Sequence, residues 1–382
     1  MALKKTTVIC NMKIVVISVF PPYRGGISQF NEAMVEAFIA SGHECIGINF
    51  SRQYPSLVFP GTNQFEHNLE SQSVRLAVLD SINPFTWYRC AKIAANEEPD
   101  VVVIPFWAAA LAPALTTVAR RIKTHHNSSR IVGLFHNANS HNAQSWEQII
   151  VQRFVQSIDE AWTLSEDVAR TIKSRRNNLS ITTAFHPLYQ HFQSLISRSE
   201  SRKLLNMPEA PKMVLFFGLI RPYKGLKWLL QAASEILKSK ENVVFCIAGE
   251  PYSAWEPYQR IIDDSVSPDR FQTHLKFIPQ DEVHIFFSAA DLICLPYESA
   301  SQSGVTAIAM HYHKPVVATN VGGLKEYFKG NPIGHTCEPK DVKSLTAAIR
   351  SALNTEPADA AIIEEWNKKF SWDAFTKRCL SA

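Results

Sequence analysis

Three short stretches combine residue types able to hold an anionic, hydroxyl-rich ligand. The first is Gly218–Gly225, "GLIRPYKG", at the end of the apolar run "MVLFFGLI". Arg221 and Lys224 therefore stand at the carboxyl end of an expected strand, where open α/β sheets bind ligands. Lys224 also opens a helix. A cation at the positive end of a helix dipole is unfavourable by itself, so an anionic partner is expected to compensate it. Two cations beside helix-start N–H groups make a site for a diphosphate; a solvated basic turn is the plainer alternative. No Gly-Lys-Ser/Thr follows, so the stretch is not a P-loop.

The second stretch is Pro296–Val305, "PYESASQSGV", again after an apolar run and before a helix. The N–H groups of Ser303, Gly304 and Val305 form a second anion cradle there. Glu298 is itself an anion and suits a different task, accepting hydrogen bonds from sugar hydroxyls; an exposed loop acid is the alternative. The third stretch, Pro22–Ser28 or "PYRGGIS", places Gly25 and Gly26 where a backbone could approach a ligand closely, or where a tight turn needs positive φ. It is not GxGxxG. In "LFHNANSHN", His136 ends a strand and faces the expected cleft, where it can hydrogen-bond a hydroxyl or donate to a developing charge; a structural loop histidine is the alternative. His141 is a weaker candidate.

The elements needed to position these residues are legible. "KIVVISVF" is continuously apolar and β-branched, as in a strand buried on both faces of a parallel sheet. A helix-period segment, "QFNEAMVEAFIASGHE", and a second strand, "CIGINF", complete a β-α-β unit. "DVVVIPFW", "RIVGLFH" and "EAWTLS" read as further strands separated by helical segments. The pattern breaks at His186-Pro187, and a domain boundary is expected near 190–210. A second alternating set follows: strands "MVLFFGLI", "VVFCIAG", "HLKFIP", "DLICLPY" and "PVVAT", interleaved with helices. The expected domains are 12–190 and 205–360, each α/β with a parallel sheet, and their ligand loops share a cleft.

Composition narrows the class. The 382 residues are 46% hydrophobic, enough for two cores, and the net charge of +4 is far from that of a dedicated nucleic-acid binder. It fits anionic small ligands or an acidic membrane surface. The seven cysteines, at 10, 45, 90, 246, 294, 337 and 379, have no CxxC spacing and suit a reducing cytosol. No run reaches the roughly 18 apolar residues of a membrane helix, and residues 1–11 read as a short extension before the first strand. There is no Asp-x-Asp, HExxH or GxSxG. Arg120, Arg121 and Lys123 form a basic cluster suited to lipid headgroups or to a solvated helix end.

Taken together, "FFGLIRPYKG", "CIAGE", "AADLICLPYESASQSGV" and "KPVVATNVGGLKE", in that order and spacing, resemble the retaining glycosyltransferases of family 4 (group 1). The likeness runs from "MKIVVISVFPPYRGGI" to "FSWDAF". It implies a GT-B fold of two facing Rossmann-like domains, with the C-terminal helix, about 362–382, crossing back onto the first. It implies that Arg221 and Lys224 hold a donor diphosphate with Gly218 and the backbone of Ser303, Gly304 and Val305. It assigns Glu298 to donor-sugar hydroxyls, His136 to the sugar's reacting end, and Gly25 and Gly26 to the diphosphate and acceptor side. It implies a metal-independent enzyme with no cofactor, a nucleotide-diphosphate sugar as donor substrate, and a sugar or lipid-linked glycan as acceptor. Nucleic acid is not an expected partner. A cytoplasmic location with peripheral membrane contact, and work in cell-surface polysaccharide or glycolipid synthesis, follow from the same likeness. One departure stands out: the family's second acid, eight residues after Glu298, is here Thr306, with one oxygen and no charge. That leaves the donor nucleotide open.

Three other activities compete. A nucleotide-sugar epimerase or hydrolase of the same fold would act without an acceptor. A nicotinamide-dependent oxidoreductase is opposed by the missing GxGxxG and ribose-binding acid. A non-catalytic binding module is opposed by the intact set of Arg221, Lys224 and Glu298. The loop Gln53–Asn68, carrying Phe59, Phe65 and His67, is expected on the acceptor side.

Overall fold

The computed structural model describes residues 11–54, 64–65, 71–137, 145–189, 192–356 and 358–381. They form two compact units. Unit 1 comprises the chain to Leu164, Val168–Ala184 and the segment from Trp372; unit 2 comprises Ser165–Asp167 and Phe185–Ser371.

Unit 1 is built on seven strands: β1 (Lys13–Ser18), β2 (Glu44–Arg52), β3 (Val74–Asp80), β4 (Val101–Phe106), β5 (Arg130–Phe135), β6 (Glu160–Thr163) and β7 (Ser180–Thr183). All neighbours are parallel, in the order β3-β2-β1-β4-β5-β6-β7. Helices α1 (Gly26–Ala40), α2 (Pro84–Asn96), α3 (Ala112–His125), α4 (Ser145–Val155) and α5 (Glu166–Arg175) make the crossovers. The unbroken apolar runs become strands such as β4, in which all six residues are buried. β3 and α2 lie where no alternation announces them. In β3, "VRLAVLD", the first four residues are exposed or half-buried and only the last three are buried.

Unit 2 carries α6 (Arg198–Leu204), β8 (Lys212–Phe217), α7 (Leu226–Lys238), β9 (Val243–Ala248), α8 (Glu256–Asp263), β10 (Phe271–His274), α9 (Val283–Ala289) and β11 (Leu292–Leu295). It continues with α10 (Gly304–His311), β12 (Val316–Thr319), α11 (Gly322–Phe328), β13 (Gly334–Cys337), α12 (Val342–Asn354) and α13 (Ala360–Asn367). Its sheet, again parallel, runs β10-β9-β8-β11-β12-β13. The strand expected at "HLKFIP" is displaced: β10 pairs Phe271–His274 with Phe245–Ala248 and ends where that expectation began.

The C-terminal segment divides between the units, which corrects the expectation of one helix spanning about 362–382 on the first domain. Ile363 of α13 is buried in the unit 2 core, and Asn367 donates to the Met310 carbonyl at 3.2 Å. Only α14 (Trp372–Leu380) belongs to unit 1. Its Trp372, Phe375 and Cys379, on one helical face, are buried. The Trp372 and Phe375 rings stand 5.1 and 5.9 Å from the ring of Phe30 in α1.

Both strand orders reverse once, at β1/β4 in unit 1 and at β8/β11 in unit 2. In an open parallel sheet the crevice beyond the carboxyl ends of the strands at such a reversal is the natural ligand site. "GLIRPYKG" leaves β8 and "PYESASQSGV" leaves β11, so the two motifs of unit 2 flank its reversal.

Candidate active site

The two unit 2 loops are clasped together. The Glu298 N–H donates to the Tyr223 carbonyl at 2.7 Å. Gly225, at φ +70°, ends the single 3-10 turn Pro222–Lys224, and a Cβ there would lie 1.9 Å from the Pro296 carbonyl oxygen. Only glycine permits that approach.

The clasp gathers most of the expected diphosphate set. A Cβ on Gly218, at φ +94°, would meet the Lys224 ammonium at 3.2 Å and Val305 Cγ2 at 3.5 Å. Gly218, Lys224 and the first turn of α10 thus converge on one point. Ser303 is the N-cap of α10 without a side-chain capping bond. Among the described residues, the backbone N–H groups of Gly304 and Val305 donate no hydrogen bond. The tyrosine hydroxyl of Tyr189 lies 3.1 Å from where a Gly304 Cβ would stand, so the helix start is walled on that side.

The electrostatics match this geometry. Burial, reinforced by the nearby charge of Arg221, pushes the Lys224 pKa down to about 8. Among the described residues neither cation has a carboxylate partner. Arg221 is held by its guanidinium stacking 5.0 Å over the Tyr252 ring, and the Lys224 ammonium sits 5.6 Å over the Tyr297 ring. Lys224 thus meets the open start of α10, with Arg221 near enough for its charge to act on the ammonium.

Glu298 stands beside this cluster with both oxygens engaged. Oε1 accepts from the Trp228 indole N–H at 2.7 Å, and Oε2 pairs with the Lys340 ammonium at 3.0 Å. Partial burial works against its charge, but the Trp228 bond and the Lys340 pair outweigh it and hold the carboxyl below its ordinary pKa. Each oxygen keeps a lone pair for a further donor, and 30% of the side chain is exposed. Sequence reading missed Trp228 and Lys340. Trp228 is 70 residues from Glu298 in the chain, and Lys340 lies in the β13–α12 connection with φ +61°; β-strand order alone brings them there.

Thr306 is 1% exposed. Its N–H donates to the Ser303 carbonyl at 3.1 Å, and its hydroxyl has no partner among the described residues. Glu326 is committed elsewhere, its carboxylate accepting the N–H groups of Glu166 and Asp167 at 2.8 and 3.1 Å.

In unit 1, Gly25 is the N-cap of α1 at φ +109° and Gly26 its first residue. The turn before them is pinned by Asn49, whose Oδ1 accepts the Phe20 N–H at 3.1 Å. His136 follows β5, and its N–H donates to the Phe106 carbonyl at 2.9 Å. Its ring, expected to face a cleft, is 1% exposed and packs edge-to-face on Phe30 at 4.8 Å. That contact links His136 to the helix that Gly26 begins. Phe65 is described, with its ring 4.9 Å from that of Tyr23; His141, Phe59 and His67 lie outside the described residues.

Known proteins resemble this chain in sequence and in fold. Residues 197–369, most of unit 2, match the family model described as glycosyl transferases group 1, which agrees with the group 1 part of the resemblance seen in the sequence. The chain is 27% identical over 193 residues to the lipopolysaccharide 1,2-N-acetylglucosaminetransferase of Salmonella typhimurium, covering 46% of this chain and 49% of that one. It is 23% identical over 204 residues to the GDP-mannose:glycolipid 4-beta-D-mannosyltransferase of Xanthomonas campestris, covering 52% of each. The chain thus spans about half the length of these relatives. Among solved structures, HepE of Anabaena, in complex with UDP and glucose, superposes with a TM-score of 0.75 at 15% identity, covering 97% of this chain and 99% of that one. The sucrose-phosphate synthase of Thermosynechococcus elongatus gives 0.72 at 16%, covering 97% of each. At these identities the likeness shows the fold, GT-B.

Proposed function

We propose that the protein is a retaining glycosyltransferase that moves a sugar from a nucleotide-diphosphate sugar to an acceptor hydroxyl. The observation that carries this is the unit 2 anion site: Lys224 and Arg221 without carboxylate partners, beside the open N–H groups of α10. The lipopolysaccharide- and glycolipid-directed relatives, and the UDP and glucose bound to HepE, support a donor of this class and an acceptor in cell-surface polysaccharide or glycolipid synthesis.

In this reading Lys224, Arg221 and the Gly304 and Val305 N–H groups hold the diphosphate, with Gly218 leaving room for the ammonium. Glu298, aimed by Trp228 and Lys340, accepts from donor-sugar hydroxyls. The partnerless Thr306 hydroxyl serves the nucleotide end, where the family's acid is absent. Cleavage of the bond from anomeric carbon to phosphate oxygen places negative charge on the diphosphate. Preorganised cations and N–H groups stabilise that charge by several kcal/mol, so no metal is required. The acceptor oxygen bonds to the anomeric carbon on the face the diphosphate leaves, and its proton passes to a leaving phosphate oxygen. His136 and the Gly25-Gly26 turn are the unit 1 groups assigned to the sugar and acceptor side.

The test is product analysis with a bound donor and a hydroxyl acceptor, reading the anomeric configuration by NMR. Retention, with turnover lowered by orders of magnitude in Lys224→Ala and Arg221→Ala while the fold persists, is expected. Near-normal turnover in both variants removes the diphosphate assignment.

A further inference from the structure

We infer that the Tyr189 hydroxyl is a further hydrogen-bond donor to the phosphate held at the start of α10. The inference rests on the reading of unit 2 as a diphosphate site. It adds to that site a residue that no motif marks, since Tyr189 lies in the irregular stretch after His186-Pro187.

The first observation is where the hydroxyl stands. It lies 3.1 Å from the place of a Gly304 Cβ, and two ring carbons follow at 3.8 and 3.9 Å, so the phenol meets the first turn of α10 with its oxygen foremost. Cα–Cβ bonds in a helix tilt toward its N-terminus. The hydroxyl therefore sits toward the end at which the open N–H groups of Gly304 and Val305 point. Through Gly218 the Lys224 ammonium reaches the same turn, at Val305. A side chain at position 304 would press on the phenol, and glycine leaves it open to the helix start.

The second observation is what holds it there. Tyr189 is 2% exposed, belongs to the unit 2 core and packs edge-to-face with Phe192 at 5.5 Å. The Leu188 N–H beside it donates to the Phe370 carbonyl at 2.8 Å. The ring is fixed, and the O–H bond is left to rotate.

The third observation is where the phenolic proton points. The Pro187 carbonyl can only accept, so the His186 Nδ1, 2.7 Å away, carries the imidazole proton. Burial pushes the His186 pKa down to about 4, so the ring is neutral at pH 7 and its Nε2 accepts. That nitrogen, 3.5 Å from the Tyr189 oxygen, takes the phenolic proton. Burial also raises the pKa of the phenol, which keeps it a donor. A 3.5 Å bond is long against the usual 2.7–2.8 Å of an O–H donor. A phosphate oxygen at the α10 start is charged and is the stronger acceptor. Rotation about the C–O bond turns the proton from His186 to that oxygen without moving the ring.

The test is calorimetric titration of UDP, GDP and ADP into the wild-type chain, Tyr189→Phe and His186→Asn, with a thermal melt of each unliganded protein. Tyr189→Phe keeps the ring and deletes the hydroxyl. A hydrogen bond to a charged acceptor is worth about 10- to 150-fold in affinity. The diphosphate that binds wild type best should bind this variant more weakly by that factor, with the melting temperature nearly unchanged. His186→Asn keeps a donor for the Pro187 carbonyl and removes the competing acceptor, so it should bind the same diphosphate at least as tightly as wild type. A packing role for this stretch would instead weaken binding in both variants. Wild-type affinity in Tyr189→Phe, or an equal loss in both variants, overturns the inference and leaves the diphosphate site standing. If none of the three diphosphates binds the wild-type chain, the diphosphate site itself fails and the inference falls with it.

Discussion

Lys224 offers a proton-linked signature of diphosphate binding. Its pKa in the unliganded protein is about 8 against an ordinary 10.5, because burial and Arg221 disfavour its charge. A diphosphate beside it reverses that balance, so binding requires the protonated lysine. At pH 9.5 only about 3% of the free protein carries that proton. Apparent affinity should therefore be about 30-fold weaker than at pH 7.5 or below. The arginine stays charged throughout, and the terminal phosphate is fully ionised above about pH 7.5, so neither supplies this slope. Stability without ligand moves the other way. Between pH 8 and 10.5 the native protein has lost a proton that the unfolded chain keeps, so the fold gains stability as pH rises across that window. The assay is calorimetric titration with the best-binding nucleoside diphosphate, at several pH values and in buffers of different ionisation enthalpy. Uptake of close to one proton per ligand at pH 9 is expected, and Lys224→Met should abolish it. A wild-type affinity that is flat from pH 7.5 to 9.5, or a slope that survives in Lys224→Met, refutes the reasoning.

Other consequences follow from named contacts. Trp228→Phe removes the 2.7 Å bond to Glu298; a hydrogen bond to a charged group is worth about 1.5–3 kcal/mol, so kcat/KM should fall about 10- to 150-fold, with the melting temperature nearly unchanged. Gly225→Ala forces a side chain into the Pro296 carbonyl and strains a positive φ; loss of donor binding together with a destabilisation of about 1–3 kcal/mol should appear in thermal melts. Arg202 is fully buried and donates to Asp291 at 2.7 Å and to the Pro208 and Glu209 carbonyls at 2.9 and 2.7 Å. Arg202→Leu strands those acceptors and should lower the stability of unit 2 by about 3–5 kcal/mol in urea unfolding.

Much of this was legible in the chain. Strands buried on both faces must be continuously apolar, so "KIVVIS", "VVVIPF" and "VVFCIA" declared themselves, and the ligand motifs stood out because each follows such a run. β3 and α2 escaped because the first half of β3 is not buried and α2 carries its bulky residues outward. The Trp228 and Lys340 clamp on Glu298 was invisible because no local rule links the first turn of α7 to two distant loops that only the strand order assembles. His136 was located at its strand end, yet periodicity does not say which way a terminal ring turns, and here it turns onto Phe30. The C-terminal segment read as one helix, about 362–382, because helical periodicity does not show that the chain passes from unit 2 to unit 1 between Ser371 and Trp372.

The central claim, that Lys224 and Arg221 form the diphosphate site for a nucleotide-sugar donor, is tested most directly by a thermal-shift screen of nucleotide-sugar donors in the presence of a chelator. At about 100 times its Kd, a donor should stabilise the protein by about 2.7 kcal/mol. At least one donor should produce such a shift, and Lys224→Ala and Arg221→Ala should each lose most of it. No shift with any donor, or the same shift in both variants, contradicts the account.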